Sequence, residues 1–161
     1  MPGEETMRKL KEAMNRHDAT AMAQHYAPDC TVIDPFVPQP LKGREAVRQD
    51  YADFVKGFPD LRIQVINILS KGDTVSGEFT MTGTHRGPLT SPTGEIPPTN
   101  KRIEMKGASF ARVNQQGQII EERRYYDSAT MLQQLGLMPQ PQMAGAGRQT
   151  SGPEVGGGQR R

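Results

Sequence analysis

Apolar residues recur at helical spacing at the start of the chain: Met7, Leu10 and Met14, then Ala21, Met22 and Tyr26. That spacing predicts helix across residues 4–26. The polar run Asn15-Arg16-His17-Asp18 interrupts the stripe, so two short helices with a bend are expected, the second capped by Asp18 or Thr20. Ala27-Pro28-Asp29 reads as a turn, and residues 30–34 as a short strand that stops at Pro35. Pro35, Pro38 and Pro40 hold the next stretch extended and irregular. After Gly43 a second stripe, Ala46, Val47, Tyr51, Phe54 and Val55, predicts a helix that closes at Gly57, with Pro59 just beyond.

From residue 61 the period changes from helical to two. Residues 61–69 alternate, Lys71-Gly72-Asp73 is a hairpin turn signal, and residues 74–85 alternate again. Val75, Gly77, Phe79, Met81, Gly83 and His85 share one face of that second strand. Residues 86–100 are too rich in Pro, Gly and Thr for regular structure and form a loop long enough to act as a lid or rim. Residues 102–113 and 118–126 read as two further strands joined at Asn114-Gln115-Gln116-Gly117. Ser128 is placed to cap a last helix over 129–135, closed by Gly136. The order implies an α+β fold with helices packed on one face of a curved antiparallel sheet.

Composition changes this picture mainly at the end of the chain. The 23 residues after Met138 hold nine Gly or Pro and no aromatic residue. Such a segment buries too little apolar surface to offset the entropy of ordering, so a disordered tail is expected over 139–161, following a domain over 1–138. The formal net charge of +2 resides in that tail, in Arg148, Arg160 and Arg161 against Glu154, and the domain is neutral. Without a basic excess, nucleic acid is not an expected partner. Cys30 is the sole cysteine, which excludes an internal disulfide and any CxxC metal site. His17 and His25 lack an acidic ligand set at metal spacing. No apolar run is long enough to span a membrane, so no membrane partner and a cytoplasmic location are expected.

Five short motifs then carry a resemblance. They are Asp34-Pro35-Phe36, Leu41-Lys42-Gly43-Arg44-Glu45-Ala46, Gly57-Phe58-Pro59-Asp60-Leu61, Thr82-Gly83-Thr84-His85-Arg86-Gly87-Pro88, and Gly117-Gln118-Ile119-Ile120-Glu121 followed by Gln134-Leu135-Gly136. In this order and spacing the chain, over about residues 6–138, resembles the SnoaL-like polyketide cyclase family of the nuclear transport factor 2-like superfamily. The resemblance implies a cone: a bent antiparallel sheet against three helices, enclosing one apolar pocket. It also implies a homodimer through the outer sheet face and chemistry without metal or organic cofactor. Cyclases of the family close a ring by intramolecular aldol reaction on an aromatic polyketide ester, with a pocket carboxyl as general acid/base. They carry a Trp-Asp pair on the last strand, where this chain has Arg123-Arg124. Arginine accepts no proton near neutral pH, so the family's acid/base is missing from its usual place. The fold is shared with epoxide hydrolases, ketosteroid isomerases, dehydratases and non-catalytic binding proteins, and does not by itself settle chemistry.

Four residues are candidates for catalysis. Asp34 ends a strand near the expected pocket mouth, as a general base or as a cap on the Pro-rich turn. His85 ends another strand, as a proton shuttle or as an anchor for 86–100. Arg124 and Tyr126 share a face and suit an enolate or carboxylate oxygen, or else Arg124 forms an ion pair with Asp34 or Glu122. Asp127 is either catalytic or a helix cap. Tyr26, Phe36, Tyr51, Phe54 and Tyr126 are the expected pocket wall, suited to a small apolar ligand. Two functions follow: a cofactor-independent cyclase or isomerase acting on an apolar carbonyl compound, or a non-catalytic protein that binds a small hydrophobic ligand. A third is a subunit that uses its sheet face for protein partners.

Overall fold

A computed structural model describes residues 2–139. The tail expected to be disordered lies, beyond Pro139, outside the described residues. The chain opens with α1 (Pro2–Asn15) and α2 (Ala19–Ala23), as the stripes predict. Met7, Leu10 and Ala13 of α1 are buried. His17 takes a left-handed backbone at the bend, and the Asp18 carboxylate accepts from Ala21 N at 2.9 Å. Asn15, first of the polar run, pairs with the backbone of Ile63: its Nδ2 donates to the carbonyl at 2.8 Å and its Oδ1 accepts from the amide at 2.7 Å. The break in the apolar stripe is therefore what ties the first helix to the sheet.

After α2 come β1 (Tyr26–Ile33), β2 (Leu41–Lys42), α3 (Arg44–Gly57), β3 (Arg62–Lys71) and β4 (Thr74–Thr84). The chain continues through β5 (Leu89–Ser91), β6 (Gly94–Ile96), β7 (Arg102–Val113), β8 (Ile119–Tyr126) and α4 (Ser128–Gln134). Six strands form one sheet in the order β2-β1-β8-β7-β4-β3, and the helices cover its concave face. The fold is α+β, as expected.

Four details differ from the sequence reading. The sheet is not wholly antiparallel, because β1 runs parallel to β8. Nearly the whole domain separates those two strands, and a long connection permits parallel pairing where a hairpin does not. Residues 27–29 are not a turn: Tyr26 begins β1, and the ladder to β8 shifts register between Tyr26 and Thr31. Pro28 has no amide to donate, and a bulge accommodates it. Residues 86–100 hold a hairpin, β5 paired with β6, where no regular structure was expected. Its Leu89 is buried against the end of α3, and Arg86 N and Gly87 N both donate to the Gly57 carbonyl. A Cβ on Gly87 would stand 1.9 Å from the Lys56 carbonyl oxygen, so only glycine allows this approach. Finally, Asp127 rather than Ser128 caps α4, accepting from Thr130 N at 2.9 Å.

Among the described residues no helix is long and apolar enough to cross a membrane. The convex face of the sheet exposes Ile33, Phe110 and Tyr125, the last two stacked edge to face at 6.1 Å.

Candidate functional site

A cavity of about 440 Å³ opens between the concave face of the sheet, α1 and α3. Its wall is largely apolar, with Phe36, Tyr51, Phe54, Phe79 and Met81 among the lining side chains. Strand alternation explains the sheet's share: Phe79 and Met81 point inward from β4, and Glu122, Arg124 and Tyr126 from β8. The α3 share follows helical spacing, since Ala46, Asp50 and Phe54 lie four residues apart on one face.

One charged network is set into this wall. Arg124, 18% exposed, donates through Nη1 to Asp34 Oδ2 and to Asp50 Oδ2, each at 3.2 Å, and through Nε to Glu122 Oε2 at 3.2 Å. Tyr126 Oη donates to Asp34 Oδ1 at 2.5 Å, and Phe36 N donates to the same oxygen at 2.8 Å. Tyr26 Oη donates to Glu122 Oε2 at 2.6 Å. Asp34 thus receives three donors, while Asp50 Oδ1 has no protein partner among the described residues.

Burial alone would weaken the guanidinium's hold on its proton. The charges of Glu122, Asp50 and Asp34 outweigh burial and keep Arg124 well above its ordinary range. Burial likewise favours the neutral form of Glu122, but Arg124 and Lys11 reverse the balance and leave its pKa lowered. At Asp50 burial wins over Arg124, with Asp34 adding repulsion, so its pKa is raised. Tyr26 and Tyr126 are pushed up by burial and by the carboxylates they face, which keeps both as hydrogen-bond donors.

Lys11 of α1 also reaches the cavity. It is 7% exposed, and its Nζ lies 4.5 Å from the centre of the Phe79 ring. Burial, with Arg124 adding and Glu122 opposing, brings its ammonium down to about 8.

The cavity gathers most of the residues singled out from sequence. Tyr26, Phe36, Tyr51, Phe54 and Tyr126 line it, as do Asp34 and Arg124. Asp34 faces the cavity and also receives the amide of the turn, as its capping reading expects. His85 and Asp127 stand apart. His85 is fully buried beyond the cavity wall, its ring 5.3 Å from that of Phe58 and its Nδ1 accepting from Thr99 N at 3.2 Å. Burial lowers its pKa. It anchors the 86–100 segment. Asp127 is the cap of α4, its carboxyl held low by the Thr130 hydroxyl and amide.

Asp50, Lys11 and Ser109 were not singled out. Two of them left a readable signal: Asp50 falls between Ala46 and Phe54, and Lys11 falls between Met7 and Met14, each a charge inside an apolar stripe. Among the described residues no group of three or more His, Cys, Asp or Glu is placed to hold a metal ion.

Comparison with known proteins bears on the same region. The sequence profile of the SnoaL-like polyketide cyclase family matches residues 4–135. Among solved structures, one assigned as a SnoaL-like polyketide cyclase from Jannaschia sp. CCS1 is 22% identical, with TM-score 0.74 over 86% of this chain and 94% of that one. IdmH from Streptomyces antibioticus, assigned as a polyketide cyclase, is 30% identical, with TM-score 0.68 over 83% and 98%. AclR from Streptomyces galilaeus, assigned as a hydroxylase, is 23% identical, with TM-score 0.72 over 85% and 82%. No curated protein sequence matches the chain.

Proposed function

The chain belongs to the SnoaL-like polyketide cyclase family, and from that premise we propose that it transfers a proton next to a carbonyl group of a small apolar, polyketide- or ester-like compound, closing or isomerising a ring. The observation that carries this reading is the pair of carboxylates, Asp34 and Asp50, joined at one Arg124 nitrogen on the wall of an apolar cavity. The 30% identity to a protein assigned as a polyketide cyclase supports the substrate class.

Arg124 occupies the place of the family's usual carboxylate and serves here to position carboxylates contributed by other elements. Asp50 carries the proton: burial raises its pKa toward the useful range, and its Oδ1 is free of protein partners among the described residues. Asp34, held by Tyr126, Phe36 N and Arg124, keeps the guanidinium and Asp50 in register. The C–H bond beside the substrate carbonyl breaks, its proton passes to Asp50, and the electron pair enters the enolate. The enolate carbon then attacks a second carbonyl, and Asp50 returns the proton. No metal or organic cofactor takes part in this scheme.

Deuterium exchange into a bicyclic aromatic ketone such as 2-tetralone, followed by NMR, tests the proposal. Exchange faster than in buffer, reduced at least tenfold in Asp50→Asn and in Asp34→Asn, is expected. Exchange at the buffer rate over a panel of such ketones sinks it. The position of Arg124 favours a second reading, a non-catalytic binder of a small hydrophobic ligand. Native mass spectrometry of protein from its own host would then find a retained compound that incubation leaves chemically unaltered.

A homodimer is proposed through the convex sheet face, where Ile33, Phe110 and Tyr125 are exposed. Tyr125→Glu should convert a dimer to a monomer in sedimentation, and a wild-type monomer at high concentration would refute the contact.

A further inference from the structure

Most polar groups of the cavity are occupied with one another. Tyr26, Tyr126 and Arg124 donate to Glu122, Asp34 and Asp50, which leaves these donors engaged and Asp50 Oδ1 open. Two donors on the cavity wall stand outside this network. Ser109 of β7 is 1% exposed, and its hydroxyl has no hydrogen-bond partner among the described residues. Lys11 Nζ makes no hydrogen bond or ion pair among the described residues, although its side chain is buried. A buried hydroxyl or ammonium without an acceptor is costly, and an oxygen held in the cavity would supply an acceptor to both.

The topology brings the two together. Ser109 pairs across the sheet with Gly77 of β4 and with Arg124 of β8. The Phe79 ring beneath Lys11 extends over Gly107, where an added Cβ would stand 3.0 Å from Phe79 Cζ, and Gly107 lies two residues before Ser109 on the same face of β7. Met7, one helical turn before Lys11, lies against Gly77. Both donors therefore belong to one patch of the floor, beside Arg124 and across the cavity from α3, which carries Asp50.

We propose that Lys11 and Ser109 form the oxygen-binding site of the cavity, which holds the oxygen of an enolisable aromatic ketone, 1,3-dicarbonyl or phenol. This rests on the proton-transfer reading above and gives the substrate its polarity. The apolar ring system lies on Phe54, Phe79 and Met81, and its oxygen meets the two free donors. When a C–H proton beside the carbonyl leaves for Asp50, the electron pair of that bond enters the enolate and its charge settles on that oxygen, where an ammonium and a hydroxyl await it. The charge balance suits the purpose. Asp34, Asp50 and Glu122 already share Arg124, so the Lys11 ammonium is the cation available to a new anion.

The test uses two probes of the same shape, 2-naphthol and 2-methylnaphthalene, titrated against the full chain. Wild type should bind 2-naphthol at least tenfold more tightly, and the absorption of the bound probe should show ionisation at least one pH unit below that in water. Lys11→Met should lose tenfold or more for 2-naphthol and change 2-methylnaphthalene less than twofold. Ser109→Ala should lose severalfold, and Lys11→Arg should retain part of the preference. Equal binding of both probes by wild type, or an unchanged preference in Lys11→Met and Ser109→Ala, overturns the oxygen site and leaves the proton-transfer reading standing. Failure of both probes to bind at all overturns the ligand cavity on which both rest.

Discussion

Asp34 and Asp50 each place Oδ2 3.2 Å from the same atom, Nη1 of Arg124. They come from different parts of the fold, the residue that follows β1 and the middle of α3, so a single nitrogen on β8 clasps helix to sheet at the cavity wall. Removing that cation strands three carboxylates, since Glu122 shares the guanidinium. Arg124→Met should therefore destabilise the fold by about 3–5 kcal/mol at neutral pH, the usual consequence of breaking a buried ion pair from one side. Much of that loss should disappear at acidic pH, where protonation of the stranded Asp50 and Glu122 removes their uncompensated charge. Urea denaturation at the two pH values measures it.

Asp50 should set the acidic side of the pH–rate profile. Asp50 has a raised pKa, so activity that needs its ionised form rises as pH climbs through a value above the ordinary Asp range. Asp50→Asn should remove this acidic limb together with at least tenfold in rate. Retention of the limb in the variant would exclude Asp50 as the titrating base.

Tyr126 bridges to the side of Asp34 that Arg124 does not touch. Tyr126→Phe deletes one donor to a charged acceptor and leaves the ring packing in place, so a stability loss of about 2 kcal/mol is expected. Proton exchange should slow severalfold if Asp34 positions the network, and thermal and kinetic measurements on the same variant read both effects.

Lys11 gives a prediction of opposite sign. Its folded pKa, about 8, lies below the ordinary 10.5, because burial and Arg124 outweigh the attraction of Glu122. The folded state therefore disfavours the charged form. This cost is fully present below pH 8 and relieved as pH rises toward 10.5. Lys11→Met should be more stable than wild type at pH 7, and the difference should shrink by pH 10. A constant difference across that range would show that Lys11 is not titrating against its burial.

His85 should behave as a packing residue. It is wedged against Phe58 and hydrogen-bonded to Thr99, away from the cavity. His85→Ala should cost about 2 kcal/mol of stability, a typical loss for a buried side chain, without changing the pH profile of exchange. A displaced profile would return His85 to the chemistry.

How much of this was legible before folding varied by element. Stripes at helical period located α1, α2 and α3, and period-two alternation located β3 and β4, because burial of one face imposes those periods on any chain, while the turn at Asn114-Gln115-Gln116-Gly117 marked the join of β7 and β8. The hairpin within residues 86–100 was hidden, since its strands are three residues each and too short to display a period. The pocket aromatics were legible for the same reason as the helices.

The sequence by itself determined the class of fold, the family, the apolar lining and the presence of an arginine where a carboxylate was expected. Only the tertiary structure decided which charges meet. The parallel pairing of β1 with β8 brings Asp34 beside Arg124 and Tyr126 across about 90 residues of chain, and the packing of α3 adds Asp50. The same packing places Lys11 over Phe79 and leaves Ser109 unpaired. Ion pairs and hydrogen bonds act over a few ångströms between residues far apart in sequence, so no local period encodes them.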